Sequence, residues 1–192
     1  MGMIPWLEIR RKIMHNISLA IPIGYHYVSK EKALIILLPI FGFYLFCDLL
    51  RHFHQGFRQL FDRIITVHFL RDREKGGLIG STYFLIGSIL TIIIFPKEIA
   101  IASLYILIIS DTSAAIVGSC WGRTRLAKEK TLEGSLAFFA TGIIIVALTM
   151  RSNPFWGTLA VLGATLVELF PLKLDDNLIV PLVAGAIMWI GW

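Results

Sequence analysis

From Ile13 to the last residue the chain alternates apolar runs of helical length with short polar breaks, and seven such runs can be marked. They cover Ile13 to Val28, Ala33 to Leu50, Leu78 to Phe95, Ile99 to Trp121, Gly134 to Met150, Phe155 to Phe170 and Leu178 to Gly191. A helix crossing about 30 Å of hydrocarbon needs about 20 mostly apolar residues, fewer where it packs against neighbours, so the pattern predicts an all-α, polytopic membrane bundle of about seven transmembrane helices. One break differs from the rest. Residues 51 to 75 place Phe53, Phe57, Leu60, Phe61, Ile64 and Ile65 at helical spacing against polar positions, which predicts an amphipathic helix lying in the membrane interface.

Composition agrees with this reading. The chain is 56% hydrophobic and 16% charged, against an average for soluble domains of roughly 45–50% apolar and 25% charged. Its net charge of +5 does not point to nucleic acid, because the basic residues sit in short breaks between apolar runs, where membrane topology accounts for them. Of the 18 Lys and Arg residues, only Lys30, Lys32, Lys97 and Arg151 fall on one set of alternate breaks, and the others, from Arg10 to Lys173, fall on the opposite set. Cytoplasmic loops are enriched in these residues, so the N-terminus is predicted to be cytoplasmic and the C-terminus external. Arg10, Arg11 and Lys12 before an apolar run imitate a signal peptide, but His15 and Asn16 interrupt the run and no small-residue cleavage site follows. The two cysteines, Cys47 and Cys120, have no ligand spacing around them, so zinc and redox chemistry lack support. With no repeat, low-complexity tract or long linker, residues 1–192 read as one membrane domain.

The candidate chemistry lies on the cytoplasmic side. In SDTSAAIVGSCWGRTRLAKEKTLEG, Asp111 opens a helical stripe continued by Ala114, Ala115, Gly118 and Gly122. Small residues at this spacing can be a close helix interface. An ionisable side chain within a membrane span is costly and marks a functional site by default, and bare backbone also lets a phosphate approach. Arg123 and Lys130 follow, and Thr131, Glu133 and Gly134 open the next span, whose free N–H groups would attract an anion. Thr131 as N-cap and Glu133 as a first-turn acid would account for those two residues equally well. An acid, glycines, cations and a helix N-terminus together are the parts of a nucleotide–Mg²⁺ site, in which carboxylates hold the metal and cations and N–H groups hold phosphates. Arg11, Lys12 and His15 open the first span on the same side, and Asp48 and Arg51 close the second as an i,i+3 pair. Glu168 and the run Asp175, Asp176, Asn177 add carboxylates, with the run also suited to cap the last span.

The segments RKIMH (Arg11–His15), DTSAAIVGSCWGR (Asp111–Arg123), KTLEGS (Lys130–Ser135) and DDNLIVP (Asp175–Pro181) resemble the CTP-dependent polyprenol, dolichol, phytol and diacylglycerol kinases, which are distantly similar to phosphatidate cytidylyltransferases. The resemblance covers most of the chain. It implies transfer of the terminal phosphate of CTP to the hydroxyl of a membrane lipid alcohol, with Arg11, Lys12, Asp111, Gly118, Lys130, Thr131 and Glu133 as essential positions. The chain is short beside eukaryotic dolichol kinases, so a prokaryotic-type polyprenol, phytol or diacylglycerol kinase fits its size. It has no GxxxxGK[ST] loop, no HRD or DFG set and no DGxxAR pattern, so phosphotransfer here requires a membrane-built site.

On this reading Asp111, with Glu133 or Asp176, binds Mg²⁺ on the phosphates of CTP, and Gly118, Gly122, Arg123, Lys130, Thr131 and Gly134 receive the nucleotide. Arg11 and Lys12 close the site, and His15 or Asp48 is the candidate base. The alternatives are a phosphatidate cytidylyltransferase, which would use the same residues but release pyrophosphate, and a small transporter or scaffold. Polar groups on one membrane face, without an inverted repeat, speak against the last.

Overall fold

A computed structural model describes Lys12 and residues 15–61, 77–127, 130–170 and 174–192. Nearly all of the described chain is helical. Helix α1 (Ala20–Tyr27) is followed by α2 (Lys30–Phe53), the short α3 (Gln55–Phe61), α4 (Gly80–Ile94) and α5 (Lys97–Tyr105). A stretch of wider, π-type turns, Ile106–Ser110, joins α5 without a break to α6 (Asp111–Trp121). After a small hairpin, β1 (Arg125–Ala127) and β2 (Lys130–Thr131), come α7 (Leu132–Thr149), α8 (Pro154–Leu169) and α9 (Asp176–Ile190).

Apolar helices thus stand at the expected runs from Ala33 onward, whereas the first, Ile13 to Val28, holds the eight-residue α1. Among the described residues three helices are long and apolar enough to cross a membrane: Lys30–Phe53, Lys97–Trp121 and Leu132–Thr149. Gly80–Ile94, Pro154–Leu169 and Asp176–Ile190 are shorter apolar helices. The 25-residue helix Lys97–Trp121 is the centre of the bundle: 67% of its apolar stretch is buried, against 17% for α2, whose Ile35, Phe43 and Phe46 face outward. Ile99, Leu104, Ile106, Leu107 and Ile108 of the central helix meet Ile92 of α4, Phe138 of α7, Val161 of α8 and Val180 and Met188 of α9 in one core. Helices α7 and α8 approach through reciprocal glycine contacts, Gly142 against Val161 and Gly157 against Val146. Small residues are the usual means of close approach where lipid supplies no hydrophobic drive.

Helix starts follow their caps. Ser29 accepts from the Lys32 N–H (3.4 Å) and starts α2 three residues before the apolar run begins. Thr131 accepts from Gly134 N–H (3.1 Å) at α7, and Asp175 from Asn177 N–H (3.0 Å) at α9, as their residue types predict.

Long-range bonds sort the helix ends onto two sides of the bundle. At one end Lys97 Nζ donates to the carbonyls of His26 (3.0 Å) and Val28 (2.9 Å), Lys30 to that of Ile93, and Asn153 to that of Gly191. At the opposite end lie the terminus of α2, the starts of α4, α7 and α9, the terminus of α8, and Lys12. Every candidate site residue that is described belongs to this second end. Of the amphipathic segment, Phe53 and α3 are described, with the Phe57 and Phe61 rings 6.0 Å apart and Arg51 over Phe61. Ile64, Ile65 and the rest of residues 62–76 lie outside the described residues, as does Arg11.

Candidate active site

Asp111 opens α6 where the π-type turns end. Each such turn accommodates one more residue than an α-turn, so the stretch re-aims the helix face that follows it. Thr112 is held by its own helix and its neighbour: its hydroxyl donates to Ile108 C=O (2.8 Å) and to Asn16 Oδ1 (3.2 Å). Asn16 and His15 are thereby docked on α6. The Asp111 carboxylate receives Lys12 Nζ in a close ion pair, and His15 Nε2 stands 3.8 Å from the same Oδ2. The His15 ring packs edge-on against Phe84 of α4, centroids 5.6 Å apart. Residues 12, 15 and 111, nearly a hundred positions apart in sequence, form one cluster.

A second cluster adjoins the first through Lys130. Its ammonium is paired with Glu168 at the end of α8, lies 3.6 Å from Asp176 Oδ2 at the start of α9, and is within electrostatic reach of Asp111. Burial works against the charge on Lys130, but Glu168, Asp111 and Asp176 outweigh it and hold its pKa above the ordinary lysine value. Two lysines and three carboxylates therefore face one another at one end of the bundle, together with a histidine.

The hairpin places Lys130. The sequence reads as a loop here, but Arg125 pairs with Thr131 and Ala127 with Lys130, and Leu132 N–H closes onto Thr124 C=O at 2.9 Å. The chain is thus folded back so that Thr131 caps α7 while lying on α6. A Cβ at Gly118 would stand 2.9 Å from Thr131 Oγ1, and one at Gly122 would stand at the same distance. At Gly134 it would meet Ala114 O at 2.9 Å and Thr131 Oγ1 at 3.1 Å. The three glycines serve a close α6–α7–hairpin packing, the helix-interface alternative of the sequence analysis.

Other predicted residues are placed elsewhere. Both Glu133 oxygens accept from Thr124 N–H (3.1 and 3.3 Å), so this carboxylate braces the hairpin base. Arg123 is exposed just past α6. Asp48 belongs to a separate network: Oδ2 accepts from Ile79 N–H (3.0 Å) and the Thr82 hydroxyl (2.6 Å), and Oδ1 is 3.6 Å from Arg51 Nη2. Arg51 in turn donates to Gly77 C=O at 2.5 Å. Asp48 is thus an N-cap for α4 supplied from α2 through Oδ2, while Oδ1 faces the Arg51 guanidinium without a hydrogen bond among the described residues.

The chain is 31% identical over 207 residues to CTP-dependent diacylglycerol kinase 1 of Schizosaccharomyces pombe, covering 95% of this chain and 93% of that one. It is 32% identical over 150 residues to the protein of the same name in Eremothecium gossypii, covering 73% of this chain and 45% of that one. The chain belongs to the CTP-dependent lipid kinase family. An uncharacterised protein of Rickettsia prowazekii is 33% identical over 185 residues, 91% of this chain and 90% of its own. No family model and no solved structure matches the chain.

Within the kinase, Glu168 is the site residue to which sequence reasoning assigned no role. It is 4% exposed and one of its oxygens, Oε2, has no hydrogen-bond partner among the described residues. The available signal was its position: a carboxylate at the end of a span on the side where Asp111 and Lys130 also lie.

Proposed function

We propose that this chain transfers the terminal phosphate of CTP to the hydroxyl of diacylglycerol or a related membrane alcohol, at the cytosolic end of a seven-span bundle. The observation that carries the reading is the pair of facing clusters, Lys12–His15–Asp111 and Lys130–Glu168–Asp176, in a chain of this family. The clusters neutralise each other as they stand. A nucleotide with its divalent cation brings one anionic and one cationic partner, so phosphates can take over the lysines while the cation takes over carboxylates. A scaffold would have no use for such exchangeable pairs.

Mg²⁺ fits the donor set by its chemistry. Among the described residues no three His, Cys, Asp or Glu side chains form a ready-made cage. Mg²⁺ in nucleotide sites usually needs only one or two carboxylates and takes its other ligands from phosphates and water. Asp111 and Asp176 are the acceptors of the expected set that lie with Lys130, whereas Glu133 is occupied at Thr124. Held by Asp111 and Asp176, the ion would supply positive charge against the charge that develops on the transferring phosphate.

The chain's own residues do the remainder. Lys12 and Lys130, with Arg11 and Arg123 nearby in sequence, hold the phosphate tail, while Thr131 caps α7 and fixes the hairpin that bears Lys130. The lipid oxygen forms its bond to the γ-phosphorus as the bond from that phosphorus to the β-bridging oxygen breaks, and CDP departs. Of the two candidate bases, His15 stands in the cluster and Asp48 does not, so His15 takes the hydroxyl proton.

The test is turnover by purified protein in detergent with γ-labelled CTP or ATP, Mg²⁺ and a panel of diacylglycerol, polyprenol, phytol and phosphatidate. Label in phosphorylated diacylglycerol, from CTP only, is the expected result. Label released as pyrophosphate only with phosphatidate would replace the proposal with a cytidylyltransferase.

A further inference from the structure

Glu168 is an expensive residue to keep. Placing a carboxylate nine-tenths buried at a bundle end is unfavourable unless its oxygens are satisfied. Lys130 satisfies Oε1, but Oε2 is buried without a partner among the described residues. A buried carboxyl oxygen without a partner among the described residues is open to a ligand that is present only part of the time. Neighbouring groups decide what kind. Glu168 shares Lys130 with Asp176 and lies in the field of Asp111, so the surroundings are rich in carboxylate oxygen. A second anion there would be repelled, and a hard cation is the complementary ligand. The competing candidate from the expected set, Glu133, has both oxygens on a backbone N–H at an exposed loop.

Resting on the kinase reading above, we infer that Glu168 joins Asp176 as a ligand of the nucleotide-bound divalent cation, taking it on Oε2, while Glu133 is a brace of the hairpin. One carboxylate then does two things. Its first oxygen aims Lys130 at the phosphates, and its second holds the cation those phosphates carry. This also explains why α8 ends, and α9 begins, against the hairpin that bears Lys130.

The experiment is Mn²⁺ binding to the full chain in detergent with CTP and no lipid acceptor, read by equilibrium dialysis as the Mn²⁺ held with the protein beyond that held by CTP alone. CTP binding in a chelator is measured alongside, together with thermal unfolding without metal. Wild type should bind Mn²⁺ with CTP, and Glu168→Gln should weaken it by at least about 10-fold while metal-free CTP binding changes much less. Glu133→Gln should bind Mn²⁺ as wild type does. If Glu168→Gln keeps wild-type Mn²⁺ affinity, or loses metal-free CTP binding to the same extent, Glu168 acts only through Lys130 and the inference is overturned. If wild type takes up no Mn²⁺ with CTP, the proposed function itself fails. Should Glu168→Gln not fold, Lys130→Met is compared with Lys130→Met/Glu168→Gln, which removes both partners of the buried pair. The double variant should bind Mn²⁺ more weakly than the single, and equal binding overturns the inference.

Discussion

Asp48 and Asp111 are aspartates at the same end of one bundle, and their neighbours assign them opposite tasks. Among the described residues, Asp111 meets side chains of positive or titratable character, Lys12 and His15, which a nucleotide can displace. Asp48 meets a backbone N–H, a hydroxyl and a buried arginine, which nothing displaces. Asp111→Asn should therefore fold near normally and lose phosphate transfer by about 10²- to 10³-fold, the scale of removing one preorganised charge-stabilising group. Asp48→Asn should do the reverse. It removes the charge 3.6 Å from the buried Arg51 and weakens the α4 cap, at a cost of roughly 1–3 kcal/mol in unfolding measurements. Turnover per folded molecule should stay within a few-fold; normal stability with lost turnover would return Asp48 to the chemistry. Asp111 was legible in the sequence because an acid inside an apolar run is too costly to keep without a use. Glu168 was not, because an acid at a run's end can equally be solvated, and its partner Lys130 is 38 positions away.

At the scale of elements, the stripe Asp111, Ala114, Gly118, Gly122 and the start of α7 were legible as one surface, but two uses of it were not separable by spacing. A phosphate and a neighbouring helix ask for the same bare backbone. The structure fills that surface with Thr131, which the hairpin carries onto it. The hairpin itself escaped the sequence reading, since three residues pairing with two give no periodicity. A substitution cycle checks the packing. Gly134→Ala forces a Cβ to 2.9 Å from a backbone carbonyl, which cannot yield, so a loss of about 1–3 kcal/mol is expected. Gly42→Ala, with nothing within 4 Å, should not destabilise. Gly118→Ala collides with the Thr131 hydroxyl, so its cost should shrink in a Thr131→Ala background. Additive losses would mean that Gly118 and Thr131 do not share the contact.

For the whole molecule, the apolar pattern located the helices because burial in lipid demands continuous runs, yet it could not say which ends meet. The long-range bonds do so: Lys97 with His26 and Val28 at one end, Lys130 with Glu168 and Lys12 with Asp111 at the other. Among the described residues, Lys12, Arg51, Arg123, Arg125 and Lys130 belong to the second end. On the proposed reading the basic breaks of the sequence lie in the cytoplasm, so that CTP, a cytosolic metabolite, would reach the clusters without crossing the membrane. The native cysteines allow this orientation to be read. Cys120 is exposed near the end of α6 on the side of the hairpin, and Trp192 stands just beyond α9 at the opposite end. In a Cys47→Ala background, a membrane-impermeant maleimide should modify Cys120 in inverted vesicles and leave it untouched in sealed right-side-out vesicles. With Cys120 also removed, Trp192→Cys should show the reverse pattern. Modification of Cys120 from outside would place the lysine–carboxylate clusters on the external face, away from cytosolic nucleotide, and a kinase working on that supply would no longer be tenable.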